Sequence, residues 1–62
     1  MTLYRFFFLS RDSTILSREE GRHADDSAAI AHARAMNSPQ EIEIWEAHRR
    51  VGVMPAFVPE TV

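Results

Sequence analysis

Residues 3 to 9 read Leu3-Tyr4-Arg5-Phe6-Phe7-Phe8-Leu9, and this apolar stretch decides the fold class of the chain. Aromatic and other β-favouring side chains dominate it, and its apolar positions lack the 3.6-residue period of a helix. The stretch therefore predicts a β-strand that extends to about Ser10. The strand needs neighbours to pair with and a layer to cover it, and the rest of the chain has to provide both.

A hairpin follows the first strand. Arg11-Asp12-Ser13 is a polar turn cluster. Thr14–Arg18 then predicts a second strand, with an extension to Arg22 if the chain tolerates an irregularity at Gly21. Because the connection is short, the two strands should be antiparallel.

The middle of the chain predicts one helix. Asp25-Asp26-Ser27 is a helix start, since these side chains accept hydrogen bonds from the first free backbone N–H groups and suit the positive end of the helix dipole. The alanine-rich segment Ala28–Met36 continues the helix. Asn37-Ser38-Pro39 ends it, because Asn tolerates a left-handed cap and Pro cannot continue the ladder. One apolar face of the helix comprises Ala29, Ile30, Ala33 and Met36.

Two more strands are predicted after the helix. Glu41–Ala47 alternates apolar and polar residues, Ala47–Arg50 is a tight turn, and Val51–Met54 returns. Residues 1–55 thus form one β-β-α-β-β domain, and residues 56–62 form a C-terminal tail. We expect an α+β fold with an antiparallel sheet of order 2-1-3-4 and the helix on one face. The alternative order places the fourth strand beside the first.

The two faces of the first strand have different predicted roles. Tyr4, Phe6 and Phe8 share one face, which we assign to the core under the helix, because Arg5 would be costly there. The opposite face is predicted to mediate self-association, since one helix cannot cover both faces. Its residues are Leu3, Phe7, Leu9 and Trp45. In the alternative, the tail folds back and Phe57 and Val58 cover this face.

Length and composition also favour a partner. The chain has 62 residues, no cysteine and a formal net charge of −2. A domain this small is marginally stable, and without disulfides oligomerisation is the expected supplement. A mixed and slightly acidic charge pattern makes nucleic acid an unfavoured partner. The apolar runs are too short for a membrane span or a signal peptide, so we expect a cytoplasmic protein.

Candidate catalytic and metal-binding residues all have simpler interpretations. His23, Asp25 and Asp26 resemble a metal cluster, yet the two aspartates are explained by the helix start. His32 is predicted to face solvent. Glu19 and Glu20 are adjacent on a strand, so they should point to opposite faces and cannot act as a paired acid and base.

The remaining polar clusters are equally unspecific. Ser10, Ser13 and Ser17 lack a nucleophile–base arrangement. His48-Arg49-Arg50 is most simply a solvated hairpin tip. Tyr4, Phe6 and Phe8 share the spacing of the RNA-stacking platform of RRM domains, but the glycine-aromatic signature of that fold is missing. The sequence therefore predicts no catalytic, cofactor-binding or metal-binding residue and no enzyme activity.

A family resemblance rests on packing motifs spread over most of the chain. The motifs are Tyr4-Arg5-Phe6-Phe7-Phe8-Leu9, Ile15-Leu16, Asp25-Asp26 before an alanine-rich helix, and Ile42-Glu43-Ile44-Trp45-Glu46. In this layout the chain resembles short bacterial ββαββ proteins of alphaproteobacterial type whose function is unknown. Those proteins usually carry Asp-Gly in the first turn, where this chain has Asp12-Ser13. The resemblance implies no activity and no functional residues.

Two functional expectations follow. The first is a small homodimeric structural or protein-interaction module without catalytic activity. The alternative is binding of a small ligand or of nucleic acid through the exposed aromatic sheet face, with Arg5 or Arg50 close to Phe7 and Trp45.

Overall fold

Strand β1, Thr2–Leu9, lies inside a four-stranded antiparallel sheet of order β2-β1-β3-β4. This computed structural model describes residues 1–58. The remaining elements are β2 (Ile15–His23), α1 (Asp26–Ala35), β3 (Glu41–Glu46) and β4 (Arg49–Met54). The predicted α+β class, element order and strand order are confirmed, and the alternative with β4 beside β1 is wrong.

The hairpin β1–β2 is longer than predicted, and its irregularity lies elsewhere. Gly21 sits in regular register opposite Tyr4, so the predicted irregularity at Gly21 is wrong. The register shifts instead between Phe8 and Leu9, where Leu16 is the extra residue of β2. This bulge lies next to the connecting turn, in which Ser13 adopts a φ of 67°. The Asp12 carboxylate accepts hydrogen bonds in this turn from Ser10 and from the backbone N–H of Thr14.

Helix α1 begins and ends through the residues that the sequence indicates. Asp25 is the N-cap, and its carboxylate accepts a 2.8 Å hydrogen bond from the backbone N–H of Ala28. The helix therefore begins at Asp26, before the predicted Ala28. At its C-terminal end Asn37 has a φ of 48°, the left-handed conformation expected of a residue that stops a helix.

The hairpin β3–β4 is tighter than predicted. Only Ala47 and His48 form the turn, and β4 begins at Arg49 rather than at Val51. Ala47 adopts a φ of 53°, which the two-residue connection requires. Val51 is an extra residue in β4, because Ile44 pairs with Gly52 and Trp45 pairs with Arg50.

The core lies between α1 and one face of the sheet. Phe6 and Ile44 are fully buried in it, and Phe8 packs against it, which confirms the assignment of the Tyr4/Phe6/Phe8 face to the helix. The buried members are Tyr4, Phe6, Ala29, Ala33, Ile42 and Ile44. The short alanine side chains bring α1 close to the strands. Among residues 1–58 no helix has the length and hydropathy that crossing a bilayer would require.

Candidate functional site: the outer face of the sheet

The sheet side opposite α1, called the outer face below, carries the residues predicted for self-association. Directly opposed residues of neighbouring strands share a face, so the register defines its members. They are Leu3, Arg5, Phe7 and Leu9 of β1, Ile15, Arg18, Glu20 and Arg22 of β2, Glu41, Glu43 and Trp45 of β3, and Arg50 and Val53 of β4. The face thus combines apolar and charged side chains of both signs.

Three of the four predicted residues keep exposed surface. Leu3 is 40% exposed, and Phe7 and Trp45 are partly exposed. Leu9 is only 5% exposed, because it lies at the end of β1 beside Pro39 and Pro55, with which it lines a cavity. The exposed apolar area is therefore centred on Phe7 and Trp45, away from Leu9.

Apolar residues that the sequence did not single out extend this surface. Ile15 is 58% exposed and Val53 is 40% exposed. Strand alternation alone does not identify Ile15 as an outer-face residue, since the bulge at Leu16 decides which way it points. Val53 was inside a predicted strand, but its face depends on the extra residue Val51.

A shallow cavity of about 300 Å³ opens on the outer face between the two aromatic side chains. Its lining is Arg5, Phe7, Ile15, Glu43, Trp45 and Ala47. The indole Nε1–H of Trp45 donates a 3.0 Å hydrogen bond to Glu43, which fixes the orientation of the ring. The cavity thus has two aromatic walls, and the indole N–H of Trp45 and the carboxylate of Glu43 beside them are already hydrogen-bonded to each other.

Both arginines beside this cavity are held by glutamates. Arg5 Nε lies 3.1 Å from a carboxylate oxygen of Glu20, and Arg50 Nη1 lies 3.8 Å from one of Glu43. All four side chains remain partly open to solvent. The contacts neutralise both guanidinium groups and reduce the attraction of this surface for a phosphate or another anion.

The tail does not line this cavity. The backbone N–H of Phe57 donates a 2.7 Å hydrogen bond to the carbonyl of Ser38, just after α1. Phe57 and Val58 line a separate cavity with Ala33 and Ile42, on the helix side. The alternative in which these two residues cover the outer face is therefore wrong for the surface around Phe7 and Trp45, although Val58 lines another cavity with Leu9 and Glu41. The rest of the tail, residues 59–62, lies outside the described residues.

A polar cluster on the opposite side connects the helix start to both hairpins. The buried Tyr4 hydroxyl donates a 2.8 Å hydrogen bond to Asp26, and Arg49 contacts both Asp26 and Glu46. The bonded carboxylate and burial raise the pKa of Tyr4 from 10.0 to about 12. Arg49 and Tyr4 in turn lower the pKa of Asp26. The sequence held one signal for this cluster, because a tyrosine that faces the core needs a hydrogen-bond partner for its hydroxyl.

The histidines considered as metal ligands lie in an aromatic cluster. Ring centroids of His23 and His32 are 4.8 Å apart, and both rings pack edge-on against Phe6. The His32 side chain is 41% exposed, which confirms the prediction that it faces solvent, and its Nε2 lies 3.1 Å from a carboxylate oxygen of Glu19. Within residues 1–58 no three histidine or acidic side chains are arranged to hold a metal ion.

The other candidate clusters separate in the structure. Asp25 caps the helix, whereas Asp26 bonds Tyr4 and Arg49, so neither aspartate joins His23. Glu19 and Glu20 contact residues on opposite sides of the sheet, as predicted. Within the basic stretch His48-Arg49-Arg50, the two arginines pair with different acidic partners, and the stretch forms no single basic patch.

Comparisons of the chain with protein-family models, with curated proteins and with solved structures gave no match.

Proposed function

We propose that this chain is a small, non-catalytic protein-interaction module that self-associates through the outer face of its sheet. The observation that carries the proposal is the apolar surface around Phe7 and Trp45, which neither α1 nor the described part of the tail covers. Contiguous apolar surface on a small domain marks an interaction site, and aromatic residues are enriched at interface centres. The absence of cysteine suits a reducing compartment such as a bacterial cytoplasm.

A second copy of the chain is the partner that the charges favour. Arginine and glutamate side chains are interspersed over the outer face in similar number. The arginines are Arg5, Arg18, Arg22 and Arg50, and the glutamates are Glu20, Glu41 and Glu43. A face with both signs in similar number can be complementary to itself, whereas a strongly basic or acidic partner would meet repulsion. A two-fold axis uses the same patch on both copies and closes the assembly at a dimer.

The size of the face indicates weak association. Strand spacing of about 4.8 Å and a rise of about 3.3 Å per residue give a four-stranded face of roughly 20 by 25 Å. Two such faces bury on the order of 1,000 Å², the lower end for specific complexes. We therefore expect a dissociation constant in the micromolar range, and the measurement has to cover about 1 μM to 1 mM.

Sedimentation equilibrium of the wild-type chain and of Phe7→Ser tests this proposal. We expect concentration-dependent dimerisation of the wild type and at least a tenfold weaker dimer for the variant, because a central aromatic contact is lost. Val58→Ser is the matched control, since Val58 is 81% exposed but does not line the cavity between Phe7 and Trp45. A wild type that stays monomeric at 1 mM, or a Phe7→Ser chain that dimerises like the control, would overturn the proposal.

The alternative function, binding of a small ligand or nucleic acid at this face, is supported by one observation. The cavity between Phe7 and Trp45 is concave and open to solvent, with Arg5 at its wall. Trp45 fluorescence would report an occupant directly. Quenching by single-stranded RNA or by nucleotides that is lost in Phe7→Ser would favour this alternative over self-association, whereas unchanged emission would count against it.

A further inference from the structure

Strand β2 forms one edge of the sheet and leaves a line of backbone groups without a strand partner among residues 1–58. Its side chains from Ile15 to Glu20 are all exposed. The strand contains no proline, and the charges that would repel a neighbouring strand, Arg18, Glu19, Glu20 and Arg22, are of both signs, so a second copy can complement them. The edge is therefore open to strand addition over several residues.

We propose that a second copy of this chain adds its β2 to this edge, antiparallel and with Glu19 at the two-fold axis. The proposal concerns the edge of the sheet and not the apolar centre of the outer face, although Arg18 and Glu20 belong to both, and it does not depend on self-association through Phe7 and Trp45. Main-chain hydrogen bonds would supply the contact, and the side chains on β2 would set the register.

The length of the strand favours this register. Glu19 is the middle residue of β2, Ile15–His23, so this register alone pairs the strand over its whole length. The bulge at Leu16 leaves residues 17–23 in regular register, and Glu19 lies within this part.

Charge complementarity singles out the same register. With Glu19 on the axis, Arg18 lies opposite Glu20 of the second copy, and the pair occurs twice on the outer face. Shifting the axis to Arg18 places two arginines opposite each other and leaves Glu20 opposite Leu16. Shifting it to Glu20 opposes two glutamates and also places Arg18 opposite Arg22. Arg18 makes no ion pair within residues 1–58. The second copy would provide one.

The like charges at the axis are moderated by the helix. Two Glu19 side chains would face each other on the helix side of the joined sheet. Each of them lies 3.1 Å from His32 Nε2 of its own chain, which draws the carboxylate towards α1. The two glutamates therefore have a partner other than each other.

Pairing of β2 with β2 closes the assembly, whereas mixed pairing of the two edges does not. Addition of β2 to the other sheet edge, β4, would be head-to-tail and would leave free edges at both ends, which generates an open fibre. Pairing of identical edges uses both at once and ends at two chains. The result is one eight-stranded sheet with the two β4 strands outermost.

Cysteine cross-linking tests the register, because the chain has no cysteine of its own. In Glu19→Cys the two sulfurs meet at the axis, where opposed Cα atoms are about 4.5–5.5 Å apart and suit a disulfide. In Ser17→Cys, on the same strand face, the two cysteines are offset by four residues, or about 13 Å along the strand. After mild oxidation we expect a disulfide dimer of Glu19→Cys and monomeric Ser17→Cys on non-reducing gels.

Charge reversal provides the second test. Arg18→Glu and Glu20→Arg should each weaken edge association by about tenfold or more, because both opposed pairs become repulsive. An equimolar mixture of the two variants should restore it, since every contact then joins opposite charges. Arg22→Glu and Glu41→Arg are matched controls outside the opposed pairs. Circular dichroism verifies folding of all four variants.

The outcomes separate this proposal from the proposed function. Introducing Phe7→Ser into each variant removes the outer-face contact, and the cross-link and the recovery in the mixture should persist. Equal cross-linking at positions 17 and 19, or a mixture no more associated than its components, overturns the edge proposal whatever the wild type does. A cross-link that survives while Phe7→Ser leaves wild-type association unchanged overturns only the outer-face proposal.

Discussion

The guanidinium of Arg49 donates two hydrogen bonds, each 3.0 Å long, to the two carboxylate oxygens of Asp26. The contact joins the first residue of α1 to the first residue of β4. Because Tyr4 of β1 donates to the same carboxylate, one side chain connects three elements of the fold. The arrangement uses the planar, two-pronged geometry that arginine offers and lysine lacks.

Arg49→Lys should therefore destabilise the domain even though the charge is kept. A lysine can make one contact to Asp26 but cannot bond both oxygens at once. We expect a fall in Tm of a few degrees, since the side chains are partly exposed. Arg50→Lys is the matched control, because Arg50 makes a single 3.8 Å contact to Glu43. Equal falls in Tm for Arg49→Lys and Arg50→Lys would contradict a stabilising role for the paired hydrogen bonds between Arg49 and Asp26.

Stability should fall at both ends of the pH range because of the same cluster. The pKa of Asp26 is lowered by Arg49 and Tyr4, so its contribution is present above the ordinary carboxyl range and is lost as the pH falls through the lowered value. The pKa of Tyr4 is raised to about 12, so its contribution is present below pH 10 and is lost between pH 10 and 12. Urea unfolding, monitored by circular dichroism at a series of pH values, measures the loss of stability at acidic and at alkaline pH.

Tyr4→Phe tests whether the loss of stability at alkaline pH comes from Tyr4. The variant keeps the ring in the core but has no hydroxyl to titrate. Its stability should be lower than that of the wild type at neutral pH and should fall less between pH 10 and 12. A steep fall of the same size in both proteins would assign the alkaline loss to other groups.

Phe6 and Phe7 should respond differently to truncation. Phe6 is completely buried, so Phe6→Ala should cost about 3–5 kcal/mol, enough to unfold a domain of this size. Phe7 lies on the outer face and is partly exposed, so Phe7→Ala should cost much less stability and should mainly weaken association. Chemical denaturation of both variants at low concentration separates the two effects. A larger loss for Phe7→Ala would contradict the assignment of the faces.

The two glycines of the sheet form a matched pair for a fourth prediction. A Cβ at Gly52 would meet nothing within 4 Å, so Gly52→Ala should stabilise β4 by about 0.5 kcal/mol through reduced backbone freedom. A Cβ at Gly21 would lie 3.3 Å from Nε2 of His23. That atom is buried without a hydrogen-bond partner, and the added methyl group crowds its ring. Gly21→Ala should therefore be less stable than Gly52→Ala.

A double-mutant cycle checks the cause. In the background of His23→Ala the crowding is removed, and Gly21→Ala should recover the difference from Gly52→Ala. If Gly21→Ala is still less stable than Gly52→Ala in the His23→Ala background, the lower stability arises within β2 and not from contact with the imidazole.

Much of the fold was predictable because local chemistry specifies it. The β-favouring residues of Leu3–Leu9, the helix start at Asp25-Asp26-Ser27 and the helix stop at Asn37 act over a few residues and are confirmed by the structure. Boundaries near the turns were less predictable. Both sheet irregularities, at Leu16 and Val51, arise where short turns impose a register that side-chain pattern does not encode.

The candidate site was predictable only in part for the same reason. Phe7 and Trp45 could be placed on one face from period-two alternation alone. The burial of Leu9 depends on Pro39 and Pro55, which lie beside it in the fold but are distant in sequence. The exposure of Ile15 depends on the bulge beside it. Neither follows from a local pattern.

The sequence by itself determined a β-β-α-β-β domain, the face of β1 that enters the core, and the capping of its single helix, because propensity and periodicity act between near neighbours. Only the tertiary structure decided that Asp26 meets Tyr4 and Arg49, that His23 stacks beside His32, and that Phe57 bonds Ser38 on the helix side. These contacts join residues far apart in the chain, and their geometry depends on strand register and helix placement together. The same dependence applies to the outer face, whose apolar surface is centred on Phe7 and Trp45 once the chain has folded.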